Sequence, residues 1–129
     1  MAIFDTSVLL SLFDPGHVHH AKAREATESH TLWHVTPGVL AELTQVVRRH
    51  ANARGTDGSA LSRRLLETLE TTTSYRPLAQ HDPEFVSRIF QIHAELSYVD
   101  AWGIAVALDR VEPLVTFDER QRAVWESLR

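Results

Sequence analysis

Cysteine is absent from the 129 residues, so neither a disulfide framework nor a thiolate metal site is possible. Lysine is nearly absent too: Lys22, in an early polar stretch, is the only one. A receiver-type phosphoacceptor domain needs a lysine at a late strand end, and a P-loop nucleotide binder needs a glycine-rich lysine motif, so both readings fail. A dehalogenase-type phosphatase would want a second Asp two residues after Asp5, where Ser7 stands. No apolar run approaches the length of a transmembrane helix. Met1 is followed almost at once by what reads as a core strand, leaving no room for a signal peptide, so a soluble, cytoplasmic protein is expected. Positive charge is also short. A net charge of −4 argues against a broadly electropositive nucleic-acid binder, though not against an enzyme that grips a phosphodiester mainly through metal ions.

What is present fits one domain over residues 1–129. The apolar fraction, 43%, is enough for a core of its own, and no repeat, linker or low-complexity segment interrupts the chain. Elements alternate. Strands are expected at 2–5, 32–35, 75–78 and 113–117, and helices at 7–13, about 18–28, 37–50, about 59–71, 83–94, 97–110 and 119–128. Asp14-Pro15-Gly16 marks a turn, and Thr36-Pro37 a helix start with Thr as N-cap and Pro at the first helical position. Strands separated by helices predict an α/β domain with a mainly parallel sheet of about four strands.

Four acids carry the chemistry: Asp5, Glu42, Asp100 and Asp118. Ala2-Ile3-Phe4-Asp5 and Leu114-Val115-Thr116-Phe117-Asp118 each read as a short apolar run delivering an Asp at its carboxyl end. In an open α/β sheet that end of the strands is where ligands bind. Glu42 falls at the edge of the apolar stripe Val39-Leu43-Val46, and Asp100 in the first turn of its helix, in line with Ile104 and Ala107. Each acid also has a plain role open to it. Asp5 and Asp118 can cap helices, Asp100 fits a capping box Ser97-x-x-Asp100, and Glu42 can be a solvated or ion-paired helix residue. Four acids gathered at one end of a fold repel one another unless cations sit among them, and hard carboxylate oxygens suit Mg²⁺ or Mn²⁺. Asp5 and Asp100 are the expected principal ligands. Asp118 and Glu42 would complete the site directly or through water, and Thr6, Ser7 and Thr116 would support it as hydroxyl donors.

The order Asp5-Thr6-Ser7, Pro37-Gly38-Val39-Leu40-Ala41-Glu42-Leu43, Asp100-Ala101-Trp102-Gly103-Ile104-Ala105 and Thr116-Phe117-Asp118 resembles the PIN-domain nucleases, most closely the VapC-type toxins of prokaryotic toxin–antitoxin pairs. The resemblance spans nearly the whole chain, with His20-x-x-Ala23 matching the second helix. It implies a Mg²⁺- or Mn²⁺-dependent endoribonuclease with Asp5, Glu42, Asp100 and Asp118 as the acidic site, usually dimeric and inhibited by a cognate antitoxin. Such domains commonly finish with a further short strand, which this chain lacks. The alternative is a non-catalytic PIN-like module that binds RNA or protein.

The remaining features are weaker. Arg48, Arg49, Arg54, Arg63 and Arg64 gather around the 52–58 loop, where they would grip RNA phosphates or simply be solvated. His17, His19 and His20 lack the i, i+4 spacing of a helical Zn²⁺ site and read as a polar helix entrance. Leu61, Leu65, Leu66 and Leu69 form an apolar flank that suggests a homodimer. Trp33, Trp102 and Trp125 read as core or interface residues.

Overall fold

The computed structural model describes residues 1–78 and 81–129. Strand β1, Ala2–Phe4, is short and wholly buried. Helix α1, Thr6–Phe13, and α2, His20–Glu28, lead to β2, Trp33–Val35. The hairpin of α3, Pro37–Ala53, and α4, Gly58–Thr71, leads to β3, Tyr75–Pro77. After it come α5, Pro83–Ile92, and α6, Tyr98–Arg110, then β4, Leu114–Val115, and α7, Glu119–Leu128. The four strands form one parallel sheet in the order β3-β2-β1-β4. The α/β class and the parallel sheet expected from the alternation of elements are therefore observed.

Period-two alternation divides β1 between two cores. Ala2 and Phe4 face a cluster with Val8, Leu9, Val35, Val39, Leu43 and Leu69, on the side of α1–α4. Ile3 faces the other, with Val86, Ile89, Ile104, Leu114, Val124 and Trp125, on the side of α5–α7. Helix α6 is sandwiched, with Ala101 and the run Gly103–Ala107 all buried.

Strands β1 and β4 end earlier than the apolar runs suggest. Asp5 and Thr116 leave the ladder, because Asp5 turns into α1 as its N-cap and the Phe117 N–H bonds Ser7 Oγ at 3.0 Å. Helix α3 runs three residues beyond 50. Its tail meets α4 so closely that a Cβ on Gly58 would lie 2.2 Å from the Arg48 carbonyl oxygen, and the Gly58 N–H is held by Asn52 Oδ1 at 2.9 Å. A Cβ on Gly103 would meet Gln121 Nε2 at 3.4 Å and Leu114 Cδ1 at 3.7 Å, ordinary van der Waals contacts that do not themselves require a glycine. Behind the sheet, His34 Nδ1 pairs with Glu112 Oε2 at 2.7 Å, and Arg110 Nε donates to Glu112 Oε1 at 3.1 Å. Both His34 and Glu112 are buried, and their mutual pairing satisfies groups that would otherwise be desolvated alone.

The tryptophans serve packing. Trp33 stacks on Phe4 with ring centroids 5.7 Å apart, Trp125 lies in the core, and Trp102 covers Gly38 at the start of α3. The apolar flank of α4 is largely absorbed within the domain: Leu69 is fully buried and Leu65 packs beside it, leaving Leu61 as its exposed leucine. Among the described residues, no helix is long and apolar enough to cross a membrane.

Candidate active site

Because β2 lies on one side of β1 and β4 on the other, the gap between the carboxyl ends of β1 and β4 is the topological switch point of the sheet. Asp5 and Thr116 meet there. Asp5 is 5% exposed and is the N-cap of α1, with Oδ2 accepting from the Ser7 N–H at 3.3 Å. The same oxygen accepts from Ser7 Oγ at 3.1 Å and from Thr116 Oγ1 at 3.2 Å. Thr116 Oγ1 in turn accepts the Asp118 N–H at 3.0 Å. The two ends of the chain are thus locked by one small hydroxyl network.

Asp5 has its pKa raised to about 6, first by burial and then by the charge of Asp100, outweighing the hydrogen bonds from Ser7 and Thr6 that lower it. Burial is the larger cause, and the like charge of Asp100 adds to it. Asp100 is placed by the capping box: Ser97 Oγ accepts its N–H at 3.1 Å, while its Oδ2 accepts the Ser97 N–H at 3.0 Å. Asp118 caps α7, its Oδ1 accepting from the Arg120 N–H at 2.9 Å and facing Arg120 Nε at 3.6 Å. So three of the four acids do cap helices, and the capping geometry is what aims them. A carboxylate that accepts at a helix N-terminus is fixed against the positive end of the dipole.

The four acids do not converge equally. Asp5 lies within the electrostatic reach of Asp100, and Asp118 is linked to Asp5 through Thr116. Glu42 is half-buried on α3 and has no hydrogen-bond or ion-pair partner among the described residues. No three or more His, Cys, Asp or Glu side chains gather to hold a metal ion by themselves among the described residues. The donor set nevertheless fits Mg²⁺ or Mn²⁺. Such an ion characteristically uses one or two carboxylates, keeps several waters and takes its remaining ligands from phosphate. Among the described residues the buried Thr6 Oγ1 has no hydrogen-bond partner, which leaves it able to bond a water. Of the expected supporting hydroxyls, then, Ser7 and Thr116 bond Asp5 and Thr6 is left unpaired.

Gln121 escaped the sequence reading. It is wholly buried, its N–H meets Asp118 Oδ1 at 3.4 Å, and its Nε2 donates to the Asp100 carbonyl at 3.2 Å. It therefore ties the two acid-bearing helix starts together. A signal existed in Asp118-x-x-Gln121, a capping-box spacing, although the amide reaches across to α6 instead of back to its own cap. Arg122 Nη2 donates to the Thr116 carbonyl, bracing the same loop. Arg48, Arg49, Arg54, Arg63 and Arg64 are all exposed, on α3, α4 and the turn between them.

The sequence profile of the PIN domain matches residues 2–126. No curated protein matches. Nine chains of known structure do. Among them is the crystal structure of VapC20 from Mycobacterium tuberculosis, described as a Sarcin-Ricin loop cleaving toxin. It superposes with a TM-score of 0.75 at 18% identity, covering 95% of this chain and 94% of that one, which is a likeness of fold.

Proposed function

The chain belongs to the PIN-domain family, and from that premise we propose that it is a metal-dependent endoribonuclease, the toxin of a toxin–antitoxin pair, with residues 1–129 acting as one nuclease domain. The observation that carries this reading is the buried Asp5 carboxylate, held by Ser7 and Thr116 at the switch point of the sheet. The fold neighbour VapC20, a Sarcin-Ricin loop cleaving toxin, supports RNA as the substrate class.

Asp5 and Asp100 are the principal ligands in this reading, with Asp118 and Glu42 acting through water. Bound Mg²⁺ or Mn²⁺ would lower the pKa of a coordinated water and neutralise charge growing on the phosphate. The protein supplies position. Ser7 and Thr116 hold Asp5 Oδ2, leaving its lone-pair directions set before the substrate arrives. Ser97 and Gln121 hold the first turn of α6 so that Asp100 stays beside Asp5. Because Asp118 is tied through its own N–H to Thr116, which also bonds Asp5, a shift in either strand end moves Asp5 and Asp118 together. Arg48, Arg49 and Arg54 extend a phosphate-binding track away from the acids. The cognate antitoxin covers the acid pocket and offers it a guanidinium or ammonium group, since mutually repelling carboxylates form a ready receptor for an Arg fork. The protein works in the cytoplasm as a homodimer.

Cleavage of RNA by the purified chain, lost in EDTA and restored by Mn²⁺, is the test. Cleavage that persists in EDTA would remove the metal from the proposal. Metal-independent RNA binding without cleavage would favour the non-catalytic module instead.

A further inference from the structure

The histidines after α1 have no part in the site as described so far, yet the fold brings them to it. The turn closes with the Gly16 N–H on Asp14 Oδ1 at 3.1 Å and the His17 N–H on the Asp14 carbonyl at 2.9 Å. His19 then lies against Phe117, with ring centroids 5.1 Å apart and the rings tilted by 41°, and the His17 ring is 5.7 Å from that of His19. Phe117 is the residue between Thr116 and Asp118, and its N–H is bonded to Ser7 Oγ. The His19 ring therefore rests on the very loop that carries the supports of Asp5 and Asp118, with His17 beside it.

The hydrogen bonds assign the nitrogens. His17 Nδ1 accepts the His19 N–H at 3.1 Å, so the proton of the neutral ring sits on Nε2. His20 Nδ1 lies 2.9 Å from the Ser11 carbonyl and must donate to it, which ties that ring to α1. Neither nitrogen of His19, nor His17 Nε2, has a hydrogen-bond or ion-pair partner among the described residues. Both rings are half-buried and packed, so their donors are held in place with little side-chain freedom left to lose. A zinc site is not formed there, since no group of three metal-ligating side chains gathers among the described residues.

We propose that His17 and His19 form a phosphate-binding rim of the active site, donating ring N–H bonds to an RNA phosphate that flanks the cleaved one. The inference rests on the nuclease reading and extends it to substrate positioning. The electrostatic need is plain. RNA approaching four carboxylates is repelled, and the ion at the centre neutralises only the reacting phosphate. The nearby arginines are already engaged, Arg120 with Asp118 at 3.6 Å and Arg122 with Glu119 and the Thr116 carbonyl. The imidazole pair, on the segment between α1 and α2, brings donors beside that loop that have no partner among the described residues. A ring N–H to a phosphate oxygen is a charge-assisted bond and needs no charge on the ring itself.

The experiment compares the full-length wild type with His17→Ala/His19→Ala, His19→Leu and His17→Gln, using a fluorescein-labelled single-stranded RNA oligonucleotide with Mn²⁺. Leu at 19 keeps the apolar contact with Phe117 without a donor, and Gln at 17 keeps an N–H close to the Nε2 position. KM should rise about tenfold or more in the double variant and in His19→Leu, with kcat within about twofold of wild type. His17→Gln should stay near wild-type KM, and the melting temperatures of His19→Leu and His17→Gln should not change. Unchanged KM in His19→Leu and the double variant, or a fall in kcat alone, overturns the rim and leaves the nuclease reading standing. If the wild type cleaves nothing, the nuclease reading is what fails. Fluorescence anisotropy with the same oligonucleotide then decides the rim: equal affinity of wild type and double variant, or no binding by either, overturns it.

Discussion

Thr116 Oγ1 donates to Asp5 Oδ2 at 3.2 Å, joining residues that lie 111 positions apart. Through the Asp118 N–H that the same hydroxyl accepts, one threonine sets the spacing between the first and last acids of the chain. Thr116→Val keeps the volume and removes both bonds. It should lower RNA cleavage about 10–100-fold, the range typical for groups that orient metal ligands. Thr116→Ser should recover most of the rate. Equal rates for Val and wild type would show that the hydroxyl does not position the acids.

Removing the acids themselves tests the site. Asp5→Asn and Asp100→Asn should each abolish Mn²⁺-stimulated cleavage while the circular dichroism spectrum stays native. Asp118→Asn and Glu42→Gln, which alter residues outside the direct pair, should leave a measurable remnant. Wild-type rates in both Asp5→Asn and Asp100→Asn at matched Mn²⁺ would refute the assignment.

Stability should depend on pH through Asp5. Its folded pKa is about 6 against an ordinary value of 3.8, so between these values the native state binds more protons than the unfolded chain. Stability of the metal-free protein therefore falls as pH rises from about 4 to about 6, by about 3 kcal/mol for a shift of that size. Asp5→Asn should flatten this part of the profile and melt higher than wild type at pH 7. Urea unfolding at pH 4.5 and 7 reads the difference, and parallel profiles for the two proteins would contradict it.

Metal and inhibitor should compete. If the antitoxin lays a cation into the pocket of Asp5 and Asp100, its affinity measured by calorimetry should weaken as Mn²⁺ is titrated in. An affinity indifferent to metal, with full ribonuclease activity in the saturated complex, would place the partner elsewhere.

Gly58 offers a test of the scaffold. An added Cβ would lie 2.2 Å from the backbone oxygen of Arg48, which no rotamer change relieves. Gly58→Ala should destabilise the protein by about 1–3 kcal/mol as the α3–α4 hairpin is forced apart. A melting temperature equal to wild type would mean that the hairpin opens freely.

The boundaries of most elements were legible because the signals are local. Thr36 caps α3 ahead of Pro37, and Ser97 and Asp100 form the capping box that their spacing announces. The acids were legible as types in an order, and so was their second role as caps. Glu42 carries no such local signal: its stripe-edge position fits several surroundings, and it stands half-buried on α3 with no hydrogen-bond or ion-pair partner among the described residues. On the apolar flank of α4, periodicity alone does not separate Leu65 and Leu69, which turn into the core of their own domain, from the exposed Leu61.

Sequence alone determined that this is an α/β arrangement with aspartates just beyond its first and last strands, since apolar periodicity and helix caps act within a turn or a strand. Tertiary structure alone decided which of those aspartates meet. The sheet order β3-β2-β1-β4 sets the two chain ends side by side, and only that neighbourhood desolvates Asp5, sets Asp100 against it and brings His19 onto Phe117. Burial and charge repulsion depend on what surrounds a side chain in space, and residues a hundred positions apart supply those surroundings here.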